Sequence, residues 1–276
     1  MLRCIKRLLY VNSRSGHVPS SGISKSWFSH EEFWLQWSCR SARVPRSSPH
    51  LQQLFCACLP GPVPIPENCT TVRIKAWGSA GAYGWNATPS GTYVGEGGGG
   101  GYAGGTFHLS PSDMLIVSVS STHAPTPDKA SSYGGPGGDA VFVADGTYAP
   151  LVVAGGGGGG SPLTSSTGVA GFAGDASGPL GPDSNGEAGS PDVDPGHPYF
   201  RAGGGGGGYP RGGAAGTLTT GAGGGQSYVS SRALNAEVLP GNGTQPGNAD
   251  DPDNQLAGQA CPTGCGMGAV VLIWSE

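Results

Sequence analysis

Three uninterrupted glycine runs constrain this chain more than any other feature: Gly97–Gly101, Gly155–Gly160 and Gly203–Gly208. Each run is too long for a single turn, and none has side chains with which to form a hydrophobic core. With 54 glycines and 24 prolines among 276 residues, the composition is typical of disordered or fibrous chains. Charged residues make up only 12 % of the chain and apolar residues 36 %, however, so we expect a modest core.

Seven short segments of apolar or alternating residues predict β-strands. They are residues 70–77, 104–109, 114–120, 139–144, 151–154, 226–231 and 268–274. In the first segment, Val72, Ile74 and Ala76 fall on one face and Lys75 falls on the other, which is typical of a half-buried strand. The last segment is almost wholly apolar and predicts a central strand. No ten-residue window has a helical period, so the sequence predicts an all-β fold, a small sandwich.

The glycine runs are open to two interpretations. Flexible linkers are the simpler one, but linkers usually separate domains, whereas these runs adjoin the strands of one domain. The other is an ordered bundle of extended chains with three residues per turn, as in polyproline II. The N–H and C=O groups of such chains point outward, so adjacent chains pair them with each other when no Cβ keeps them apart. The position of the runs between strands favours the ordered bundle.

Composition and charge divide the chain into three parts. Residues 1–60 carry a net charge of +6 and the remainder a net charge of −10, which together give the overall −4. We interpret residues 1–60 as a poorly ordered extension or a mispredicted gene start, with a mitochondrial transit peptide as the alternative. Residues 61–66 read as a proline-rich linker, and residues 67–276 as the glycine-rich domain. Its acidic balance disfavours a nucleic-acid partner, and no stretch is apolar enough for a membrane span.

Two groups of residues are candidates for cross-links or metal binding. Cys261 and Cys265 could form a short disulfide loop, either could pair with Cys69, or the thiols could be free. No histidine lies near them in sequence, so zinc is disfavoured. The acidic residues Asp250, Asp251 and Asp253 are weak candidates for calcium. The cluster lacks the glycine of an EF-hand loop, so we expect a solvated loop and no metal or cofactor.

The order of these blocks resembles the glycine-rich domain family. The resemblance rests on residues 72–81, the glycine run before residues 102–109, and residues 111–117, 137–142, 150–158 and 268–274. It covers about residues 63–276 and none of residues 1–60. The chain is similar to the extracellular glycine-rich domain of the anaplastic lymphoma kinase and leukocyte tyrosine kinase receptors. It looks equally like the glycine-rich domains of microbial secreted proteins and phage adhesins.

The resemblance implies a small antiparallel jelly-roll-like sandwich that carries an inserted bundle of polyglycine II helices. The receptors bind a protein cytokine through this domain, and phage adhesins contact their host with loops at the tip of the bundle. The chain contains no kinase motifs, so the resemblance does not extend to kinase activity. It also contains no nucleophile elbow and no phosphate-binding loop, and the repeated Gly-x-Gly-x-x-Gly patterns follow trivially from the runs. We therefore expect no enzymatic activity and no catalytic residues.

Other features indicate an extracellular or cell-surface location. Three N-glycosylation sequons begin at Asn68, Asn86 and Asn242. Residues 121–132, 161–201 and 240–260 form long, polar loops, and loops of such length are usually functional or disordered. Tyr199 and Phe200 are our candidates for contacts with a ligand, because aromatic side chains are favoured at interfaces.

We therefore predict a secreted binding or adhesion module that meets a protein or glycan through its loops. The alternative is a structural component of a wall, coat or extracellular fibre, in which the chain associates with itself. Ice binding by a glycine surface is less favoured, because the three-residue period is not kept outside the runs.

Overall fold

The computed structural model describes twelve stretches of the chain, all within the unit Cys39–Glu276. They are residues 42–43, 51–56, 58–86, 92–110, 112–119, 132–162, 170–175, 178–181, 183–186, 202–254, 257–260 and 266–276. The described residues form strands, turns and extended segments, and none of them lies in an α-helix. The predicted all-β class is therefore confirmed.

Within these stretches, thirteen strands make up the sheets. They are β1 (Ala42–Arg43), β2 (Leu51–Cys56), β3 (Cys58–Pro64), β4 (Thr71–Trp77), β5 (Trp85–Asn86), β6 (Thr92–Tyr93), β7 (Tyr102–His108), β8 (Met114–Val119), β9 (Val141–Asp145), β10 (Pro150–Ala154), β11 (Tyr228–Val229), β12 (Leu234–Leu239) and β13 (Ala269–Ser275). All seven predicted strands are among them, displaced by at most a few residues. β9 and β10 pair as an antiparallel hairpin.

Two antiparallel sheets contain most of these strands. The first sheet has the order β1-β2-β13-β4-β7-β12, and the second has the order β11-β10-β9-β8-β3. The C-terminal strand β13 lies between β2 and β4, so the prediction of a central last strand is confirmed. β5 and β6 form a separate two-stranded sheet.

The two sheets share one hydrophobic core. The first sheet contributes alternate residues such as Val72, Ile74 and Leu272, and the second contributes Leu115 and Val143, all of them fully buried. Alternation along each strand places these side chains on the inner face of its sheet. Burial of this apolar surface at roughly 25 cal/mol per Å² is the main stabilising term for this part of the molecule.

The sheets begin earlier in the chain than the predicted domain boundary at residue 67, and this corrects the boundary. β2 pairs with β13 and β3 pairs with β8, so residues assigned to an extension and a linker are strands of the domain. The prolines at 60, 62 and 64 fit because β3 is an edge strand. The ring nitrogens of Pro62 and Pro64, spaced two residues apart, share one side of the strand, where no hydrogen bond to a neighbour is needed.

The outer face of the first sheet is also covered, contrary to expectation. Trp77, Tyr102 and Val271 form a second buried cluster on this face, together with Ala257 from the loop that follows β12. Lys75, predicted to face solvent, is only 6 % exposed. The loop around residues 240–260 covers it, and nothing near residue 75 in the sequence signals that cover.

Candidate functional site

The glycine runs lie side by side in a bundle of extended segments. We call this assembly the glycine bundle; its segments are residues 78–84, 95–101, 132–139, 155–161, 170–175, 202–208 and 221–226. Each segment bonds to its neighbours through main-chain N–H and C=O groups rather than through side chains. Segment 155–161 is the central one, because its main chain bonds to all six of the others.

The N–H groups of the central segment point in three directions in turn. Gly156 and Gly159 donate to Gly207 and Gly204, Gly157 and Gly160 donate to Ser79 and Ala82, and Gly158 donates to Phe172. Donors that lie three residues apart therefore reach the same neighbouring segment. The donor–acceptor distances are 2.8–3.0 Å, which is normal hydrogen-bond geometry.

The carbonyl groups of the central segment reach the other three neighbours. Their donors are Gly101, Gly98 and Gly95 from one segment, Gly225 and Ala222 from a second, and Gly138 and Gly135 from a third. Here too, acceptors repeat every three residues. The buried main chain is thus paired on all sides, as buried N–H and C=O groups require.

The close approach of these segments leaves no room for side chains at the centre. A Cβ placed on Gly157 would overlap the carbonyl oxygen of Gly98, and one on Gly159 would overlap that of Gly135. Surrounding segments do carry side chains where they face outward, as at Phe172, which is 42 % exposed. Glycine is therefore required here by space, since another residue would push neighbouring main chains apart.

Several segments join the sheets at one end of the bundle. Gly78 follows β4 directly, Gly155 follows β10, and Gly101 precedes β7. The opposite end, which we call the far end, holds β5 and β6. There the main chains of Trp85 and Tyr133 pair in an antiparallel bridge, with both N···O distances below 3.0 Å.

Aromatic residues gather at the far end. Trp85, Tyr133 and Tyr83 are half-buried among the ends of the segments. Burial, reinforced by the nearby Glu96 carboxylate, raises the pKa of Tyr83 above its ordinary value. Sequence reasoning did not single out these residues, because their proximity depends on pairing between distant segments.

The predicted interface residues lie in loops that the structure does not describe. Tyr199 and Phe200 fall outside the described residues, but their loop leads into Ala202, the first residue of a bundle segment at the far end. Among the described residues, Tyr148 and Phe172 are the most exposed aromatic side chains, at 69 % and 42 %.

The three sequons differ in exposure. Asn68 and Asn242 are exposed, whereas Asn86 is half-buried. The side-chain oxygen of Asn86 accepts a hydrogen bond from the Ser132 hydroxyl at 3.1 Å. Glycosylation remains a prediction for all three.

The acidic cluster does not form the solvated loop that we expected. Asp251 and Asp253 pair with the buried amine of Lys75, at 2.8 and 2.9 Å, while Asp250 is exposed. Their carboxylates are therefore engaged by a protein cation. Within the described stretches, no three His, Cys, Asp or Glu residues come together as a metal site would need.

The structure describes one of the three candidate cysteines. Cys69 is a free, half-buried thiol, and burial together with the Glu276 carboxylate raises its pKa. Cys261 and Cys265 lie outside the described residues, so a bridge between them stays a prediction. No helix long and apolar enough to cross a membrane occurs in the part of the chain that the structure describes.

The fold and the bundle together define the class of this protein: an all-β, glycine-rich domain whose glycine segments are an ordered part of the structure. The family model of the glycine-rich domain matches residues 60–275, and the chain belongs to that family. The match begins within β3, in agreement with the earlier start of the sheets. No curated protein matches the chain.

Proposed function

We propose that this chain is a non-enzymatic, secreted or cell-surface module that binds a protein or glycan through loops held by the glycine bundle. One observation carries the proposal: the central segment bonds to six neighbours through its main chain alone. Its six glycines, Gly155–Gly160, offer no nucleophile, acid or base. Recognition would therefore fall to the loops that the bundle positions, and rigid scaffolds commonly present binding loops in this way.

The bundle segments are, in this proposal, polyglycine II helices. Support comes from the three-residue repeat of hydrogen bonds to each neighbour and from the six-fold surroundings of residues 155–161. A helix with three residues per turn and outward-pointing peptide groups produces that repeat. Hydrogen exchange provides a test, because the amides of Gly156–Gly160 should then exchange no faster than those of the central strand β13.

The architecture proposed for the whole domain is a jelly-roll-like sandwich with this bundle inserted between its strands. The order of blocks along the chain resembles the extracellular glycine-rich domain of the anaplastic lymphoma kinase and leukocyte tyrosine kinase receptors, and those of phage adhesins. In this proposal the chain shares with them an extracellular setting and recognition by loops. The exposed sequons at Asn68 and Asn242 are compatible with that setting.

The far end of the bundle is the proposed contact surface. Its described residues include the half-buried aromatics Trp85 and Tyr133, and the segment that contains Tyr199 and Phe200 leads into the same end. Aromatic side chains supply much of the energy in many protein interfaces, because they bury a large area at low entropic cost.

A second candidate function is a structural component that associates with itself. Strand β12 favours it, because it is an edge strand of the first sheet with exposed apolar side chains, Leu234 at 49 % and Val238 at 42 %. Exposed edge strands offer unpaired N–H and C=O groups to a second chain.

Two measurements on the full chain separate the candidates. Sedimentation velocity over a wide concentration range should show a monomer if the chain is a binding module, and concentration-dependent assembly if it is structural.

Binding to arrays of glycans and of extracellular protein domains should be saturable. The double variant Tyr199→Ser/Phe200→Ser should weaken that binding at least tenfold. Tyr148→Ser is the matched control, an exposed aromatic in the β9–β10 turn, and should bind normally. Assembly without saturable binding would contradict the binding proposal.

A further inference from the structure

Lys75 is the one lysine among the described residues. Its amine is buried, and its surroundings are unusual. Lys75 lies on β4, where its cross-strand neighbours are Val271 and Gly104. Trp77, Tyr102 and Val271 line the same covered face of the sheet. The Lys75 side chain is 8 % exposed, and its two carboxylate partners are 10 % and 6 % exposed.

Two carboxyl groups meet this amine at hydrogen-bond distance. Nζ of Lys75 lies 2.8 and 3.0 Å from the two oxygens of Asp251, and 2.9 Å from Oδ2 of Asp253. The two acids are held from their other sides. The Asp253 N–H donates to Oδ1 of Asp251, and the amide of Gln52 donates to Oδ1 of Asp253 at 2.9 Å.

This arrangement contains each group that amide formation needs. The amine is the nucleophile, the carbonyl carbon of Asp253 is the electrophile, and Asp251 faces the amine with both oxygens as a proton carrier. The Gln52 amide polarises the second oxygen of Asp253, in the manner of a donor to a developing oxyanion.

We propose that Lys75 and Asp253 condense to an intramolecular amide bond, with Asp251 as the group that transfers the protons. The lone pair of Nζ forms the new bond to Cγ of Asp253, and the carbonyl electrons move to Oδ1, where Gln52 donates. Asp251 carries two protons in turn from Nζ to Oδ2. The Cγ–Oδ2 bond then breaks, Oδ2 leaves as water, and Asp251 returns to its starting state. No oxidant, reductant or cofactor enters the balance.

The bond would link strand β4 covalently to the loop around residues 240–260, which covers the outer face of the first sheet. Asp253 belongs to the loop that buries Trp77 and Tyr102, and it lies 178 residues from Lys75 in the chain. A covalent link there keeps the loop in place when the domain is pulled or heated. This inference does not depend on the proposed ligand-binding function.

Mass spectrometry of the full chain tests the proposal directly. The denatured, deglycosylated and reduced protein should weigh less than its sequence predicts by one water molecule. Trypsin cleaves after Arg73 and Arg232 but not after an acylated lysine. Tandem spectra should therefore show a branched peptide that joins the segment starting at Ile74 to the segment starting at Ala233. An unmodified mass, or a linear peptide that ends at Lys75, would overturn the proposal.

Three variants separate this bond from other losses of water, such as a succinimide at an aspartate. Lys75→Arg keeps a cation between the carboxylates but has no amine, and should have its full calculated mass. Asp253→Ala should likewise have its full calculated mass, because no water is lost. Asp251→Asn keeps both bond-forming residues and should cross-link at least a hundredfold more slowly. Loss of water in Lys75→Arg or Asp253→Ala would place the chemistry elsewhere and overturn the assignment. Full cross-linking in Asp251→Asn would overturn the role of Asp251.

Discussion

The sandwich core and the glycine bundle bury their main chains in opposite ways. In the core, side chains such as Val72 and Leu272 fill the space between two sheets, and the apolar area removed from water stabilises the fold. In the bundle, residues 155–160 have no side chains, and stability depends on complete pairing of peptide groups across six neighbours. The stability of the core should therefore fall when side-chain atoms are removed, whereas the stability of the bundle should fall when atoms are added. Two substitutions test that difference directly, and two ionisable residues are expected to have smaller effects.

Adding one methyl group at the centre of the bundle should have the largest effect. In Gly157→Ala, the new Cβ would overlap the carbonyl group of Gly98, a main-chain group held on several sides. We expect a loss of more than about 4 kcal/mol in the free energy of unfolding, or no folded protein at all. Urea denaturation followed by tryptophan fluorescence gives the value. Gly146→Ala is the matched control: its Cβ would have ordinary contacts with Met114, so the change should stay within about 0.5 kcal/mol. Equal effects for the two variants would contradict a packed bundle.

Removing atoms from the core should have the next largest effect. Leu272 is fully buried on the central strand β13, so Leu272→Ala leaves a cavity that the two sheets only partly fill. We expect a loss of about 3 kcal/mol, measured in the same denaturation experiment. A loss as large as that of Gly157→Ala would remove the asymmetry between the two regions.

Tyr102, where the bundle passes into β7, should make the fold sensitive to alkali. Burial, aided by the Glu237 carboxylate, raises the pKa of Tyr102 to about 12, against about 10 in an unfolded chain. The unfolded state therefore loses this proton first. The contribution of the protonated Tyr102 to the free energy of unfolding is complete below pH 10 and is lost as pH rises toward 12. Tyr102→Phe should flatten this decline in a series of urea midpoints between pH 9 and 12. An unchanged slope would show that Tyr102 is not the group responsible.

The smallest effect is expected at the β9–β10 turn, outside both regions. The Thr147 hydroxyl, main-chain amides of the turn and Arg232 hold the pKa of Asp145 below its ordinary value. The ionised Asp145 carboxylate therefore contributes to the free energy of unfolding at neutral pH, and this contribution is lost as pH falls through the lowered pKa. Asp145→Asn should cost under about 1 kcal/mol at pH 7, because the partner arginine is largely exposed. The difference from the parent protein should vanish near pH 2; a difference that persists there would assign it to the turn geometry instead of the charge.

Local pattern was sufficient to predict most of the sheets. Strands such as β4 and β8 alternate or are strongly apolar, and the Asp145-Gly146 turn separates β9 from β10. β2 and β3 were missed because glutamines and prolines interrupt their patterns. Both glutamines of β2 have partners far away in sequence: Gln52 donates to Asp253, and Gln53 accepts from the Trp274 indole. Such partners are invisible before the chain is folded.

The site was less predictable than the fold, for the same reason. The length of the run at residues 155–160 suggested an ordered segment, but its central position depends on six segments spread over about 150 residues. The outward register of Lys75 on β4 was read correctly, yet its burial was not, because a loop near residue 253 covers that face. Charges that look solvated in sequence are engaged here by a partner from another part of the chain.

The three-residue repeat of the bundle also limits how the length of this domain can change in evolution. One extra residue within Gly155–Gly160 would rotate every later peptide group by a third of a turn, so each would face the wrong neighbour. A viable insertion would have to add a whole turn, and the six surrounding segments would have to lengthen with it to keep its peptide groups paired. Length variation in homologues should therefore concentrate in the loops, while the segments themselves keep a nearly constant number of residues.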